Sequence, residues 1–151
     1  MHLKSILFVA ALALAASAKP FPRSKRDVTN CGSSSDILKL TSLTLSPNPP
    51  QRGQNLTVIA TGTLTQAIIN GSTINVNVTL DSFLPVLSNT WDLCSEAAQE
   101  KITCPMPSGA VNLTTTLAVP SDIPSGSYAA HAVASEPNGS EIACFDITFS
   151  F

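Results

Sequence analysis

Apolar and polar side chains alternate with a period of two residues along most of this 151-residue chain beyond residue 37. This period is typical of β-strands, in which successive side chains point to opposite faces of a sheet. The alternating segments are 38–45, 56–60, 74–80, 111–119, 128–134 and 143–151. In the first segment the alternation slips by one residue near Thr41 and Ser42, which predicts a β-bulge.

Clusters of proline, glycine and asparagine separate the alternating segments. They lie at 47–50, 70–71, 107–109, 124–126 and 137–139. Short strands between regularly spaced turns are typical of an antiparallel sandwich. The only segment that favours a helix is a short turn around 95–100. The sequence therefore predicts an all-β, immunoglobulin-like β-sandwich of two antiparallel sheets.

The N-terminal segment has the features of a secretory leader. Residues 1–18 combine a weakly basic start, an apolar run from Ile6 to Ala16 and a small-x-small end, Ala16-Ser17-Ala18. Residues 19–26 are basic and end in the dibasic pair Lys25-Arg26. They are predicted to be a pro-segment, the alternative being a flexible arm that stays attached. The predicted mature chain, 27–151, has the length of one domain.

The charge balance of that domain excludes one class of partner. Three basic side chains against ten acidic ones leave a formal net charge of −7 in residues 27–151, compared with −2 for the whole chain. With no basic patch to neutralise phosphates, binding of nucleic acid is not expected.

Four cysteines follow the leader, and an even count in a secreted chain predicts a disulfide framework. Three pairings are possible. We favour Cys31–Cys144, which joins the start of the domain to its last strand, and Cys94–Cys104, which closes a short polar loop. Free thiols or a zinc site are the alternatives, and zinc is disfavoured because the chain has no Cys-x-x-Cys pair.

Catalytic motifs are missing from the sequence. It has no Gly-x-Ser-x-Gly elbow, no glycine-rich phosphate loop and no histidine metal pair, and His131 is the one histidine of the domain. Asp92 and Glu96 are interpreted as a solvated loop face. An enzyme, a cofactor and a metal site are therefore not expected. Five Asn-x-Ser/Thr sequons predict glycosylation on the surface, at Asn55, Asn70, Asn77, Asn112 and Asn138.

One apolar group does not fit the strand pattern. Phe83, Leu84, Val86 and Leu87 follow a predicted strand, and Trp91 lies in a loop-like region before Cys94. These side chains either cap a core or line an opening into a cavity.

Several motifs, in order along the whole domain, resemble those of the ML-domain lipid-recognition family and in particular its fungal phosphatidylglycerol/phosphatidylinositol transfer proteins, relatives of the Niemann-Pick lysosomal cholesterol carrier. The matching motifs are Cys31, the segment 43–50 with Gly53 and Leu56, Asp92-Leu93-Cys94, Cys104-Pro105-Met106 with Gly109, the segment 123–128, and Cys144 followed by 149–151.

The resemblance implies a two-sheet sandwich with an internal lipid cavity, and it implies the same disulfide pairing. Side chains expected to form the cavity wall are Ile74, Val76, Val78, Leu80, Tyr128, Val133, Phe145, Ile147 and Phe149. Side chains expected at its mouth are Phe83, Leu84, Val86, Leu87 and Trp91. A head group would be met by the Tyr128 hydroxyl, by backbone amides or by a loop asparagine.

The function implied by the resemblance is a monomeric, soluble lipid carrier, secreted or held in the vacuolar or lysosomal lumen. It would bind phosphatidylglycerol or phosphatidylinositol, touch membrane surfaces transiently and transfer the lipid without covalent chemistry. A sterol ligand is one alternative. A packed secreted sandwich with no ligand, acting as a structural or interaction protein, is the other.

Overall fold

A computed structural model describes residues 27–151 as eight β-strands and one short helix. The predicted leader, 1–18, and pro-segment, 19–26, lie outside the described residues. The elements are β1 Asp27–Asn30, β2 Leu38–Ser46, β3 Asn55–Leu64, β4 Thr73–Leu80, β5 Leu84–Asp92, α1 Leu93–Gln99, β6 Gly109–Ala118, β7 Ser127–Ser135 and β8 Glu141–Ser150.

The strands form two antiparallel sheets, which confirms the predicted fold class. A five-stranded sheet has the order β1-β8-β7-β4-β5, and a three-stranded sheet has the order β2-β3-β6. The backbone N–H of Ile37 donates to the carbonyl of Glu141 (3.1 Å), which holds the start of β2 beside β8. In the smaller sheet β2 and β6 are the two outer strands. Since β2 lies next to β8, β6 lies over the other side of the larger sheet, near β4 and β5.

The predicted bulge in β2 is present and has a clear role. The register with β3 passes from Leu40–Gly62 to Ser42–Thr61, so Thr41 is the extra residue. Leu43 then pairs with Ala60, which keeps it on the same face as Leu40. A strand without the bulge would turn one set of leucines to solvent.

The packed core occupies one end of the sandwich. We call the end that carries α1 the helix end, and the opposite end, formed by the turns 47–54, 81–83 and 119–126, the loop end. Both sheets contribute to the core at the helix end, and Leu64 and Ile68 are 1% and 2% exposed there. The core residues are Ile37, Leu38, Leu64, Ile68, Met106, Ala134, Ile142 and Ala143.

Both favoured disulfides are present. Cys31 and Cys144 lie on β-paired segments with their Cα atoms 5.0 Å apart, and Cys94 and Cys104 have Cα atoms 5.7 Å apart. The first bond closes a loop of 113 residues, for which the chain-entropy model gives about 4.7 kcal/mol of stabilisation. The second ties α1 to the segment that precedes β6, at the helix end.

Two sequence-based assignments are corrected. The sequence predicted no strand over Leu84–Asp92 and placed Trp91 in a loop-like region, but this segment is the edge strand β5. It pairs with β4 from Leu84–Leu80 to Trp91–Ile74. Most residues of β5 are exposed, so the strand lacks the alternation of buried and exposed side chains by which the other strands were predicted. β1 was missed because its four residues include a single apolar one, Val28.

The helix begins two residues earlier than predicted, at Leu93. The Asp92 carboxylate accepts from the Ser95 backbone N–H (2.7 Å), so Asp92 caps the helix and is more than a solvated loop side chain. Within residues 27–151 there is no helix of the length and apolarity needed to cross a membrane.

Two carboxylates lie close to the junction of β2 and β8. Asp36 is 2% exposed, and its carboxylate accepts from the Ser33 backbone N–H (2.8 Å) and hydroxyl (2.9 Å). Partial burial raises the pKa of Glu141 above its ordinary value of 4.5, and the negative charge of Asp36 and a hydrogen bond with it act in the same direction. A protonated His131 acts in the opposite direction.

This arrangement predicts a stabilising effect of acid. Because the folded state binds the Glu141 proton more tightly than the unfolded state, this group adds stability as the pH falls through its raised pKa towards 4.5. Glu141→Gln imitates the protonated acid, so it should raise the unfolding midpoint near pH 7 and weaken the gain on acidification. Denaturant unfolding between pH 4 and pH 8 measures both effects.

Glu100→Gln is the matched control, since Glu100 is exposed at the end of α1. The difference between each variant and the wild type cancels the titration of the other acids. An equal pH dependence in the wild type and Glu141→Gln would contradict this role for Glu141.

Candidate functional site

One face of the five-stranded sheet is apolar across its central strands. The register aligns Val76 with Ala132 and Phe145, and the next row of that face aligns Val78 with Ala130 and Ile147. Eight of the nine expected wall residues lie on this face: Ile74, Val76, Val78, Leu80, Tyr128, Phe145, Ile147 and Phe149.

The middle strand of this face carries small side chains. Ala130, Ala132 and Ala134 of β7 point the same way as the larger side chains of β4 and β8 on either side. A row of methyl groups between two rows of larger side chains leaves a shallow trough along the sheet. Such a surface can accept an elongated apolar group without displacing protein side chains.

Val133 does not belong to this wall. It pairs with Asn75 and Cys144, which places it on the opposite face of the sheet. Successive residues of a strand point to opposite faces, so Val133 and the inward alanines beside it cannot share a surface. The expectation that Val133 contributes to the wall is corrected.

The facing sheet supplies a second apolar wall that the sequence analysis did not assign to the site. In β3 the inward residues are Leu56, Val58 and Ala60, which pair with Leu117, Thr115 and Leu113 of β6. Their alternation was visible in the sequence and was the available signal. The alternation could not show that β3 and β6 pair with each other in a separate sheet that faces the larger one.

The two walls are packed together at the helix end and less so towards the loop end. Leu117 of β6 is 49% exposed, and Leu84 and Leu87 of β5 are 49% and 43% exposed. By the register Leu87 pairs with Val78 and Leu84 with Leu80, so both lie on the inward face. The partly exposed inward side chains therefore lie along the loop-end halves of the edge strands β5 and β6.

A cavity lies along β6 nearer the helix end. Its volume is about 280 Å³, and its apolar lining includes Ile102, Met106, Val111 and Leu113. Val111 and Leu113 also pack against the core cluster. This cavity therefore lies between the packed core and the surface at the edge of the smaller sheet.

The expected mouth residues divide into two groups. Phe83 is 78% exposed in the turn between β4 and β5, where Asp81 and Ser82 adopt positive φ angles of 50° and 67°. Leu84 and Val86 continue the exposed apolar surface, with a β-bulge that makes Val86 an extra residue of β5. Phe83, Leu84, Val86 and Leu87 thus form one surface, which we call the apolar tip.

Trp91 lies away from the apolar tip. It pairs with Ile74 at the other end of β5. The distance from Leu84 to Trp91 is seven residue steps along the strand, or roughly 23 Å. Trp91 is half-buried beside the core at the helix end. Its expected place at the mouth is corrected, because the segment between it and Leu84 is an extended strand rather than a loop.

Aromatic side chains fill the β7–β8 side of the loop end. The ring of Tyr128 stacks on that of Phe149, with centroids 5.5 Å apart, and both meet the ring of Phe151 edge to face at the same distance. The Tyr128 hydroxyl donates to the carbonyl of Pro124 (2.9 Å), and the residue is only 4% exposed. Tyr128 is therefore part of this packing and does not offer its hydroxyl proton to a head group.

The outer face of the larger sheet carries the single histidine of the described residues. The Nδ1 atom of His131 is 2.7 Å from a carboxylate oxygen of Asp146, and both side chains are about half exposed. The same nitrogen is 4.0 Å from the sulfur of Cys31. Because the Cys31 and Cys144 sulfurs are bonded to each other, this group does not present thiolates for a metal ion.

The sequons lie on outer faces or in turns. Asn77 is on the face opposite the apolar wall, where it donates to Asn75 (2.6 Å) and accepts from Ser88 (2.7 Å). By register Asn55 and Asn112 also point outward, and Asn70 and Asn138 lie in turns at the helix end. Glycosylation at these sites stays a prediction.

Comparison with known proteins identifies the fold and the family together. The sequence profile of the ML domain matches residues 25–151. A phosphatidylglycerol/phosphatidylinositol transfer protein of Mycosarcoma maydis is 31% identical over 135 residues, covering 88% of this chain and 69% of its own length. The protein of that name from Candida albicans is 33% identical, covering 89% of this chain and 70% of its own length.

Solved structures show the same fold at low sequence identity. Chicken MD-1, solved in complex with lipid IVa, superposes with a TM-score of 0.63 at 18% identity, over 84% of this chain and 89% of its own. A Niemann-Pick type C2 protein from the Japanese carpenter ant gives a TM-score of 0.61 at 14% identity, over 82% of this chain and 98% of its own. By the profile match, the sequence identity and the shared sandwich, this chain belongs to the ML-domain family.

Proposed function

We propose that this protein is a lipid carrier that holds a phospholipid between its two sheets and transfers it between membranes without a covalent step. Phosphatidylglycerol and phosphatidylinositol are the proposed ligands, since the relatives that share about a third of its sequence are named for their transfer. The observation that carries the proposal is the incomplete packing of the apolar walls at the loop end.

The physical basis is the transfer of acyl chains out of water. Each buried CH₂ group contributes about 0.8 kcal/mol, so a chain can leave the bilayer only if the protein offers comparable apolar surface. The trough of β7 alanines and the facing side chains of β3 and β6 supply such a surface. In a sandwich without a ligand, the partly exposed Leu84, Leu87 and Leu117 would leave apolar surface in contact with water, which is unfavourable.

The apolar tip is the proposed contact with a membrane. An exposed aromatic ring and the aliphatic side chains beside it can enter the interfacial region of a bilayer, while the partly exposed inward side chains of β5 and β6 lie next to them. The lipid would then slide from the bilayer into the space between the sheets. No acid, base or nucleophile takes part in this exchange, so the proposed activity is not enzymatic.

The proposed setting is the secretory pathway, with a monomer working outside the cell or in the vacuolar or lysosomal lumen. The two disulfides support an oxidising compartment. The raised pKa of Glu141 favours the folded state in acid, which suits an acidic lumen.

Filling the trough should block the ligand while the fold survives. Val78→Trp places a large ring on the inward face, next to Ala130. We expect phospholipid affinity to fall by about tenfold, since overpacking costs about 1–3 kcal/mol when the space is needed. Binding of a fluorescent phospholipid, read together with the circular dichroism of the variant, measures the effect.

Val133→Trp is the matched control, because it makes the same change on the outer face of the same sheet. It should bind like the wild type. Equal binding by Val78→Trp and the wild type would contradict a ligand between the sheets.

Charging the apolar tip should slow transfer and leave binding at equilibrium intact. In Phe83→Asp a largely exposed ring is lost, so folding should be unaffected. Because burial of a phenylalanine side chain is worth about 1.5–3 kcal/mol, we expect transfer between vesicles to slow by about tenfold or more.

Ile69→Asp provides the comparison, since Ile69 is also an exposed apolar residue (42%) but precedes β4 at the helix end. Its transfer rate should match that of the wild type. If the two variants slow transfer equally, the apolar tip is not the membrane contact.

A further inference from the structure

The cationic side chains of the described residues are few and widely separated. Lys39 lies near the start of β2, at the helix end, where its ammonium group donates to the Ser34 carbonyl (2.5 Å). Lys101 follows α1 at the same end. Arg52, in the turn between β2 and β3, is the cation that residues 27–151 place at the loop end.

Arg52 reaches from one sheet to the other. Its Nη2 atom donates to the hydroxyl of Ser125 (2.8 Å), in the turn between β6 and β7. Its guanidinium carbon lies 5.8 Å from the centroid of the Phe151 ring, at the end of the larger sheet. These two contacts restrict the side chain, which reduces the entropy it loses when it binds a further group.

Most of the hydrogen-bonding capacity of this guanidinium is unused. It has five N–H donors, and the bond to Ser125 takes one of them. Among residues 27–151 the one ion pair within 4.0 Å is that of His131 with Asp146, so no described carboxylate neutralises Arg52. In a domain with ten acidic side chains and three basic ones, an arginine without an acidic partner is available for an external anion.

We propose that Arg52, together with the Ser125 hydroxyl, binds the phosphate of the lipid head group and gives the carrier its preference for anionic phospholipids. This inference rests on the proposed function, because it assumes that the acyl chains lie between the sheets and the head group at the loop end. The planar guanidinium fork matches two phosphate oxygens. A choline head group brings its own cation close to Arg52, whereas glycerol and inositol head groups do not.

The experiment is a competition between two phospholipids. The full secreted protein and the variant Arg52→Gln are equilibrated with vesicles of equal parts phosphatidylglycerol and phosphatidylcholine with the same acyl chains, and the bound lipid is extracted and quantified. We expect the wild type to favour phosphatidylglycerol by about threefold to tenfold, the size of a partly exposed charge-assisted contact. In Arg52→Gln the ratio should fall to near one, with total bound lipid unchanged.

Two further variants sharpen the result. Lys39→Gln removes one positive charge at the helix end, so it should keep the wild-type preference and exclude an effect of net charge. Arg52→Lys keeps the charge without the fork and should give an intermediate ratio. If Arg52→Gln keeps the wild-type preference for phosphatidylglycerol, the inference is overturned. If the wild-type protein binds no lipid at all, the proposed function is overturned instead.

Free phosphate is the other source of the same chemistry. Inorganic phosphate at millimolar concentration is added to the lipid-loaded wild type during the competition. The control has the same ionic strength but no phosphate. If Arg52 holds the head group of a bound lipid, the ratio of bound phosphatidylglycerol to phosphatidylcholine should stay within twofold of the control value. Binding of inorganic phosphate that depends on Arg52, with no lipid preference, would overturn the assignment to a head group.

Discussion

The buried core cluster that joins the two sheets lies at the helix end, and the partial exposure of inward side chains on the edge strands at the loop end depends on this constraint. Leu38 and Leu64 of the smaller sheet meet Ala134 and Ala143 of the larger one in the buried core. Towards the loop end, inward side chains become partly exposed on the edge strands. A sandwich that is closed at one end can hold its sheets in fixed register and still leave apolar surface available at the other.

The closed end is built from covalent and polar links as well as from packing. Cys31–Cys144 joins β1 to β8, and Cys94–Cys104 holds the helix and the following loop against the core. The Asp92 cap starts the helix where β5 ends. Inward side chains that stay partly exposed contribute less hydrophobic stabilisation than buried ones, and these links at the helix end offset some of that loss.

Much of the fold could be predicted from the sequence, because period-two alternation records burial on one face of a strand. The phase slip near Thr41 even located the bulge in β2. The cysteine positions left three disulfide pairings possible, and the pairing that was favoured, which the family resemblance also implied, is the one present. β1 and β5 escaped detection because short or exposed edge strands carry little alternation, and their existence depends on the neighbouring strand with which they pair.

The candidate site was less predictable for the same physical reason. Alternation assigns a residue to the correct face only if its position along the strand is counted correctly. Val133 lies one residue from the inward Ala132 and Ala134, and it therefore points to the opposite face. Trp91 and Leu84 were grouped by closeness in sequence, although an extended strand separates them. Arg52 gave no signal in the sequence, since its contacts with Ser125 and Phe151 join segments more than seventy residues apart.

The central claim is that the space between the sheets holds a lipid. Native mass spectrometry of the intact protein after treatment with a glycosidase, followed by organic extraction and identification of what is released, tests it most directly. The account predicts one phospholipid per protein molecule, with an anionic head group. A protein that is isolated empty and takes up no lipid from vesicles between pH 4 and pH 7 would contradict it.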